Sequence, residues 1–283
     1  MAVIKIHDDF SLSKIAESGQ CFRAVEIENG VYRFITKNHV LYIQKVDEES
    51  YKISCSHGDW ESIWAEYFDL ETNYVEVRQE LENFAARTPF AEYLNAAMEF
   101  GKGIRILRQD PFETLISFII SQRKNIPAIR KSIELICDEF GTIVRSDYGD
   151  VRLFPNEDQL AKATKIKLSS CALGYRGAYI HDAIQKVHER IVRLDDLAHA
   201  TDEDILLEVQ NIKGVGRKIA NCVALYAYHR VNLAPVDVWI QRSIEEDFHG
   251  RNIFDELVRN AGILQQYIFF YKRLGEKEFD MEG

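Results

Sequence analysis

The sequence has little of the glycine and proline that dominate fibrous and low-complexity proteins. Its 283 residues include only 15 Gly and 5 Pro, whereas 46% are hydrophobic and 28% are charged. This composition excludes collagen-like, linker-dominated and disordered classes, because the chain can bury enough apolar surface to fold. The length suffices for one large domain or for two to three small ones.

The sequence also lacks a long hydrophobic run. No apolar stretch approaches the roughly 18 residues that a membrane-spanning helix needs. The opening segment, residues 1–10, has acidic residues where a signal peptide has its apolar region. We therefore expect a cytoplasmic protein without a membrane partner.

Cysteine is scarce and irregularly spaced. The five cysteines form no Cys-x-x-Cys pair, so neither a disulfide framework nor a zinc or iron-sulfur spacing is present. We expect reduced thiols. The cysteines are Cys21, Cys55, Cys137, Cys171 and Cys222.

The net charge of −10 is unevenly distributed. Residues 1–100 hold 9 Lys and Arg against 18 Asp and Glu, whereas residues 101–274 hold 25 against 23. Residues 275–283 have a net charge of −3. The middle of the chain is therefore free to form basic patches, and a polyanionic partner is not excluded.

The periodicity changes near Trp60. From Cys21 to about Ser56, short β-branched and aromatic runs bounded by turns predict antiparallel strands. After Trp60 no comparable strand cluster follows, and the pattern is helical. We predict an α+β fold with an N-terminal antiparallel β-sheet domain (residues 1–100) and an all-helical body (residues 101–283).

One helix start is especially well marked. Asp110 suits the N-cap, Pro111 the first helical position, and Glu113 the returning side chain of a capping box. Several more amphipathic helices follow, and the last begins near Asp255.

A helix-turn-helix pattern at residues 206–230 is the most informative stretch. Its turn, Gly214-Val215-Gly216, contains two glycines that permit positive φ and leave backbone N–H groups uncovered at the start of the next helix. Such a turn can hold a phosphate through amides and the helix dipole. The alternative is an ordinary helical hairpin with a C-capping glycine.

Two residues downstream give the turn a functional context. Lys218 is the second residue after the turn, and Asp237 lies in Pro235-Val236-Asp237. The combination resembles the helix-hairpin-helix signature of base-excision DNA glycosylases, in which the aspartate lies at the cleft and the lysine marks members that also nick the strand. Separately, Asp237 could be a simple N-cap and Lys218 a surface residue.

The resemblance narrows to the 8-oxoguanine DNA glycosylases and extends over nearly the whole chain. It implies that the active site lies in the cleft between the two domains. Four further segments carry it: Ser18-Gly19-Gln20-Cys21-Phe22-Arg23, Arg108-Gln109-Asp110-Pro111 with residues 117–121, Leu173-Gly174-Tyr175-Arg176, and Ala261-Gly262 through Gln265 to Phe269.

The resemblance implies a pocket for a base flipped out of the duplex. Phe269 and Cys222 correspond to the two faces that sandwich the purine, an aromatic ring and a thiolate. Gln265 corresponds to the amide that binds the pairing edge of the base. Gly19 corresponds to the glycine whose carbonyl accepts from N7–H, a hydrogen that 8-oxoguanine has and guanine lacks.

The resemblance also implies the chemistry. Lys218 is the nucleophile that attacks C1′ and forms a Schiff base, which proceeds to β-elimination, and Asp237 stabilises the sugar cation or orients the amine. A lysine attacks only when deprotonated. The helix N-terminus, the adjacent Arg217 and burial in a cleft all disfavour its ammonium form.

DNA contacts are implied at several positions, some of which depart from the family pattern. Arg123, Lys124 and Asn125 stand where the family has three asparagines that wedge into the duplex. Ala128 stands where the family has one of the two arginines that contact the orphaned cytosine. Trp239 stands where the family has a phosphate-binding histidine. We therefore expect weak discrimination of the opposite base. The predicted DNA-binding residues are Arg123, Lys124, Asn125, Tyr175, Arg176, Gly214, Val215, Gly216 and Trp239, with further basic runs at Arg130-Lys131 and Lys165-Ile166-Lys167.

Two alternatives remain. An alkylated-base glycosylase would use Asp237 alone and has no need of Lys218 or Gln265. Endonuclease III and adenine-mismatch types need a C-terminal four-cysteine cluster and are excluded, because Cys222 is the last cysteine. A non-catalytic hairpin module would keep only the glycines. The resemblance implies no soluble cofactor, a monomer, double-stranded DNA with oxidised guanine as partner, location at the nucleoid, and a hairpin that can hold a monovalent cation through carbonyls of Gln210, Ile212 and Val215.

Overall fold

The structure, a computed structural model, describes residues 2–275. Met1 and residues 276–283, which carry the net charge of −3 counted for the terminal segment, lie outside the described part of the chain. Within residues 2–275, none of the helices combines the length and the hydropathy that crossing a bilayer requires.

The N-terminal part contains the predicted antiparallel sheet. Its five strands have the order β1-β5-β4-β3-β2. The prediction missed β1 and started the first run too early, because residues 21–23 precede β2. The strands are β1 (Ala2–Lys5), β2 (Val25–Glu28), β3 (Val31–Thr36), β4 (His39–Lys45) and β5 (Ser50–Ile53).

One face of the sheet forms the first apolar core. Phe34 pairs with Leu41 across β3 and β4, and both side chains are fully buried. Phe68 packs edge-on against Phe34 at 4.9 Å between ring centroids. Burial is continuous over residues 34–36 of β3 and 41–43 of β4, because Ile35 packs with Val151 and Leu153 in a smaller apolar cluster.

The rest of the chain is mostly helical, as predicted. The helices are α1 (Leu12–Glu17), α2 (His57–Asp59), α3 (Ala65–Tyr67), α4 (Tyr74–Ala85), α5 (Ala91–Gly101), α6 (Pro111–Ser121), α7 (Ile126–Phe140), α8 (Glu157–Ala161), α9 (Lys165–Ser170), α10 (Gly177–His188), α11 (Asp202–Gln210), α12 (Arg217–Tyr228), α13 (Val238–Arg242) and α14 (Ala261–Phe270). Shorter π-helical and 3₁₀ turns connect several of them, including Trp60–Trp64, Gly174–Arg176 and Tyr271–Gly275.

The prediction that no strand follows Trp60 is wrong at one place. β6 (Ile143–Ser146) and β7 (Gly149–Arg152) form an antiparallel hairpin between α7 and α8. Its signal is short: two β-branched residues, then a turn closed by Gly149, whose φ is +100°. A four-residue run of this kind is easily outweighed by the helical periodicity on both sides.

The start of α6 confirms two of its three predicted signals. Asp110 accepts a 2.9 Å hydrogen bond from the Glu113 amide, and Pro111 is the first helical residue. Glu113 does not return the capping-box bond. Burial raises the pKa of Glu113 to about 7, against the attraction of Arg23.

Two apolar cores divide the chain near residue 70. The first lies between the sheet and the segment that ends at Phe68, and the second contains α4, α5 and the helices of the body. The domain division predicted near residue 100 thus falls later in the chain than the division between the cores.

Arg105 joins the two parts. Its guanidinium is fully buried and donates to Asp8, to the Asp9 carbonyl and to three carbonyls of residues 68–72. Asp69 in turn binds Arg108 and His229, each at 2.9 Å. These paired charges place the sheet domain against the C-terminal end of α12.

Candidate active site

A cavity of about 1290 Å³ opens between the N-terminal segment and the helical body. It is lined by the segment after α1, the α6–α7 connection, one face of α12, residues 235–241, and α14 with the turn that follows it. Ligand sites commonly occupy such clefts between domains.

One face of α12 supplies three side chains to this cavity. Lys218, Cys222 and Tyr226 are spaced by four residues and therefore lie on the same side of the helix. The Lys218 ammonium nitrogen is 5.4 Å from the centroid of the Phe118 ring, and that ring stacks on Tyr226 at 5.3 Å. Phe118 on α6 thus forms an aromatic wall beside the predicted nucleophile.

The turn before α12 differs from the prediction in one respect. Gly214 has φ of +79°, but Gly216 is extended and serves as the N-cap. A Cβ on Gly214 would lie 2.3 Å from the Tyr179 ring, whereas one on Gly216 would meet nothing within 4 Å. The backbone therefore requires a glycine at Gly214 but not at Gly216.

Asp237 fulfils both of the roles considered from the sequence. It is the N-cap of α13, where its Oδ1 accepts 3.0 Å hydrogen bonds from the Trp239 and Ile240 amides, and it lines the cavity. Neither amide bonds to Oδ2. Burial raises the pKa of Asp237, while the two amides and Lys218 oppose that shift.

Burial favours the neutral thiol of Cys222 over the thiolate that the resemblance implies. The residue is 3% exposed, and burial raises the pKa of its thiol to about 11 although the charge of Lys218 acts in the opposite direction. Desolvation disfavours the charged form more than one nearby ammonium favours it.

Gly19 and Phe269 are in direct contact. Gly19 has φ of +79°, and a Cβ built on it would lie 3.0 Å from Phe269 Cε1. Any larger residue would therefore displace the ring as well as strain the backbone. The main chain of the N-terminal segment and the aromatic ring from α14 form one corner of the cavity.

Gln265 presents an unpaired acceptor. Its side chain is 3% exposed, and its Oε1 has no hydrogen-bond partner among residues 2–275. An unsatisfied buried carbonyl costs about 1–3 kcal/mol, so a ligand that donates a hydrogen bond here would recover that energy. Gln265 lines the same cavity as Lys218.

The predicted DNA-binding residues divide into two groups. Arg123, Lys124, Asn125 and Trp239 line the cavity, whereas Tyr175, Arg176 and the hairpin glycines do not. Asn125 N-caps α7 by accepting from the Ala128 amide at 2.9 Å. Lys124 donates to the Ala172 carbonyl at 2.9 Å.

Tyr175 and Arg176 lie on the other side of the α6–α7 loop. Tyr175 is 53% exposed, but Arg176 is 8% exposed, and its guanidinium donates to carbonyls of Gln122, Arg123 and Leu173. In this structure Arg176 fixes the loop that carries Arg123 instead of presenting free donors.

Sequence reasoning missed several cavity residues. Phe118 lies within residues 117–121, which carry part of the family resemblance. Tyr226 lies two turns after Lys218, and Arg273 lies one turn after Phe269. A helical period applied from Lys218 and from Phe269 would have identified Tyr226 and Arg273, whereas α6 holds no predicted site residue from which Phe118 could be reached.

The N-terminal part matches a family model. Residues 2–115 match the model described as 8-oxoguanine DNA glycosylase, N-terminal domain. A Saccharomyces cerevisiae N-glycosylase/DNA lyase is 33% identical over 159 residues, which are 52% of this chain and 42% of that protein. A probable N-glycosylase/DNA lyase of Methanothermobacter thermautotrophicus is 29% identical, over 63% of this chain and 65% of that one. The chain thus matches about two fifths to two thirds of these relatives.

Solved structures match over the full fold. MBOgg1, in complex with a low affinity DNA ligand, superposes with a TM-score of 0.90 and 34% identity, over 97% of this chain and 96% of that one. The Clostridium acetobutylicum 8-oxoguanine glycosylase/lyase in its apo form gives 0.86 and 30%, over 95% of each chain. A 3-methyladenine DNA-glycosylase from Archaeoglobus fulgidus shares only the fold, at 0.77 and 20%.

Proposed function

Because the chain belongs to the 8-oxoguanine DNA glycosylase family, we propose that it excises 8-oxoguanine from double-stranded DNA and then cuts the strand as an AP lyase. One observation carries the proposal. Three separate segments contribute to a single cavity: α12 with Lys218 and Cys222, the N-cap of α13 with Asp237, and α14 with Gln265 and Phe269.

The cavity supplies the parts needed to hold a flipped base. Phe269 offers a stacking surface, Gln265 an unpaired acceptor for donors on the pairing edge, and Gly19 a main chain against which the purine edge can lie. A carbonyl of Gly19 that accepts from N7–H discriminates 8-oxoguanine from guanine, since guanine would leave that acceptor facing another acceptor. Cys222 contacts the opposite face as a thiol.

Lys218 carries the chemical step. Its amine attacks C1′, the bond from C1′ to N9 breaks, and the base leaves with that electron pair and takes up a proton. Opening of the sugar ring gives an imine between Lys218 and C1′. Loss of a proton from C2′ then expels the 3′-phosphate by β-elimination. Asp237 stabilises the positive charge that develops on the sugar.

Strand binding rests on the amides before α12 and on the basic edge of the cavity. The turn at residues 214–216 binds a backbone phosphate. Arg123, Lys124 and Asn125 face the place in the duplex from which the base has been flipped out. Trp239 provides packing against the strand without charge. Tyr175 acts as the exposed wedge, and Arg176 contributes by holding the loop.

Several attributes remain predictions that accompany this function: a monomeric enzyme, location in the cytoplasm at the nucleoid, and no soluble cofactor. A monovalent cation bound by carbonyls of Gln210, Ile212 and Val215 is a further one. The Ile212 carbonyl already accepts the Val215 amide at 3.1 Å, so it would offer the ion its second lone pair.

Borohydride trapping tests the proposal. An 8-oxoguanine duplex incubated with the protein and borohydride should become covalently attached, and Lys218→Gln should abolish the crosslink without changing the melting temperature. Base release without crosslinking would instead support an alkylated-base type of glycosylase. Binding without either product would leave only a non-catalytic hairpin protein.

A further inference from the structure

Arg273 makes contacts with both parts of the corner formed by Gly19 and Phe269. It lies in the π-helical turn Tyr271–Gly275 after α14, and its guanidinium carbon is 5.3 Å from the centroid of the Phe269 ring. One terminal nitrogen lies 3.5 Å from the position of a Cβ on Gly19, and the other donates to the Glu17 carbonyl. The residue also lines the cavity.

The surroundings of Arg273 hold it at this position. Burial lowers its pKa, an effect that Glu17 and Asp237 oppose and that Arg130 reinforces. Its Nε is buried with no hydrogen-bond acceptor among residues 2–275. A buried guanidinium with an unpaired donor is costly. The contact with the Phe269 ring and the hydrogen bond to the Glu17 carbonyl offset this cost.

Two donors from one helical segment fix consecutive carbonyls before Gly19. Gln266 on α14 donates to the Ser18 carbonyl at 2.8 Å, and Arg273 donates to the Glu17 carbonyl. Since each peptide group is planar, these two bonds fix the two peptides that lead into Gly19 and therefore the position of its Cα relative to α14. The same guanidinium contacts the Phe269 ring, so one side chain determines the distance between this ring and the main chain that leads into Gly19.

We propose that Arg273 is a positioning residue for lesion recognition, which holds the Glu17–Gly19 main chain at a set distance from the Phe269 ring. The inference rests on the proposed function, because it concerns how 8-oxoguanine fits between a stacking ring and a main-chain acceptor. It assigns no role to Arg273 in strand cutting, which requires Lys218 at C1′ and no base in the pocket.

Two reactions on matched duplexes separate these roles. Single-turnover release of 8-oxoguanine depends on the base pocket, whereas cutting of a preformed abasic site requires Lys218 but no base in the pocket. For Arg273→Met we expect base release to fall on the order of 100-fold, with abasic-site cutting within about twofold of the unchanged protein. Arg273→Lys should behave similarly, because an ammonium cannot stack flat and reach Glu17 at once.

Arg130→Met is the matched control. Arg130 also lines the cavity and donates to a neighbouring carbonyl, that of Ala16 at 3.0 Å. Its loss should change strand affinity for both duplexes alike, so the ratio of the two rates should stay constant. Binding of each variant to an uncleavable abasic analogue gives the affinity directly.

The outcomes are distinguishable. If Arg273→Met lowers both rates equally, or neither, the positioning role is refuted while the proposed function stands. If the unchanged protein neither releases 8-oxoguanine nor crosslinks to it, the proposed function fails first. A fall in melting temperature in Arg273→Met with unchanged Arg273→Lys rates would assign the residue a merely structural role.

Discussion

The Tyr226 hydroxyl donates a 2.6 Å hydrogen bond to Oε1 of Gln266, whose amide nitrogen donates in turn to the Ser18 carbonyl at 2.8 Å. This relay joins α12, which carries Lys218, to α14, which carries Phe269, and to the segment before Gly19. All three members are buried. The parts of the cavity that bind a base are thereby held at a fixed position relative to the part that bears the amine.

Removal of the Tyr226 hydroxyl should therefore weaken the fold. Tyr226→Phe leaves the buried Gln266 carbonyl oxygen without its donor, and we expect a loss of about 1–3 kcal/mol in the free energy of unfolding. Urea denaturation measures it. Tyr175→Phe, at an exposed ring, should change the same quantity by less than about 0.5 kcal/mol. Equal effects would contradict the relay.

The two glycines of the hairpin should respond differently to alanine. Gly214→Ala places a Cβ within 2.3 Å of the Tyr179 ring at a φ of +79°, and we expect a loss of roughly 1–3 kcal/mol in stability together with weaker binding of duplex DNA. Gly216→Ala meets open space at an extended backbone. Thermal unfolding and a filter-binding assay should show Gly216→Ala close to the unchanged protein.

Glu113 should make stability fall as the pH rises. Its folded pKa of about 7 lies above its ordinary value of 4.5, so the folded state retains a proton that the unfolded state has lost. Stability is therefore unaffected below pH 4.5 and decreases between pH 4.5 and 7. Glu113→Gln should remove this decline, which gives the variant an advantage on the order of 2 kcal/mol at pH 8.

A comparison of urea midpoints at pH 5 and pH 8 tests this sign. Glu256→Gln serves as the control, because Arg251 lowers the pKa of that exposed carboxyl group, and its removal cannot favour the variant at high pH. If Glu113→Gln is less stable than the unchanged protein at pH 8, the carboxylate stabilises the fold through Arg23 and the assignment is wrong.

Opposite-base selectivity should be modest. Ala128, near the start of α7, stands where the family has a second arginine for the orphaned cytosine, and Arg176 is bonded to the main chain. We expect release of 8-oxoguanine opposite the other three bases within about 10–100-fold of that opposite cytosine, since one bidentate contact contributes ~1–3 kcal/mol. Ala128→Arg should widen the difference. A preference of several orders of magnitude in the unchanged protein would contradict the prediction.

The sequence predicted the fold class because it depends on local signals, whereas the residues of the candidate site came mainly from the family resemblance. The strand runs and the N-cap at Asp110 follow from residue type, and the spacing of Lys218 and Cys222 places them on one helical face. Gly19 and Phe269 were brought together only by the family resemblance. No local rule links residues that meet through tertiary packing.

The departures from the sequence predictions have physical causes of the same kind. The family resemblance implies a thiolate at Cys222, but burial, which only the folded state defines, favours the thiol. Glu113 suits a capping box, yet the fold buries its carboxyl group, where Arg23, 90 residues earlier in the chain, attracts it. The Arg176 guanidinium meets carbonyls of the α6–α7 loop, which the sequence alone does not place beside it.

The bond between Ser18 and Gln266 joins positions 248 residues apart. On the ribosome, Gly19 and Lys218 emerge before Gln265 and Phe269, so the pocket for the base is completed only when α14 leaves the exit tunnel. A message truncated before residue 261 would therefore yield a chain that contains the reactive amine, the hairpin and Gly19 but lacks the ring and the amide that complete the pocket.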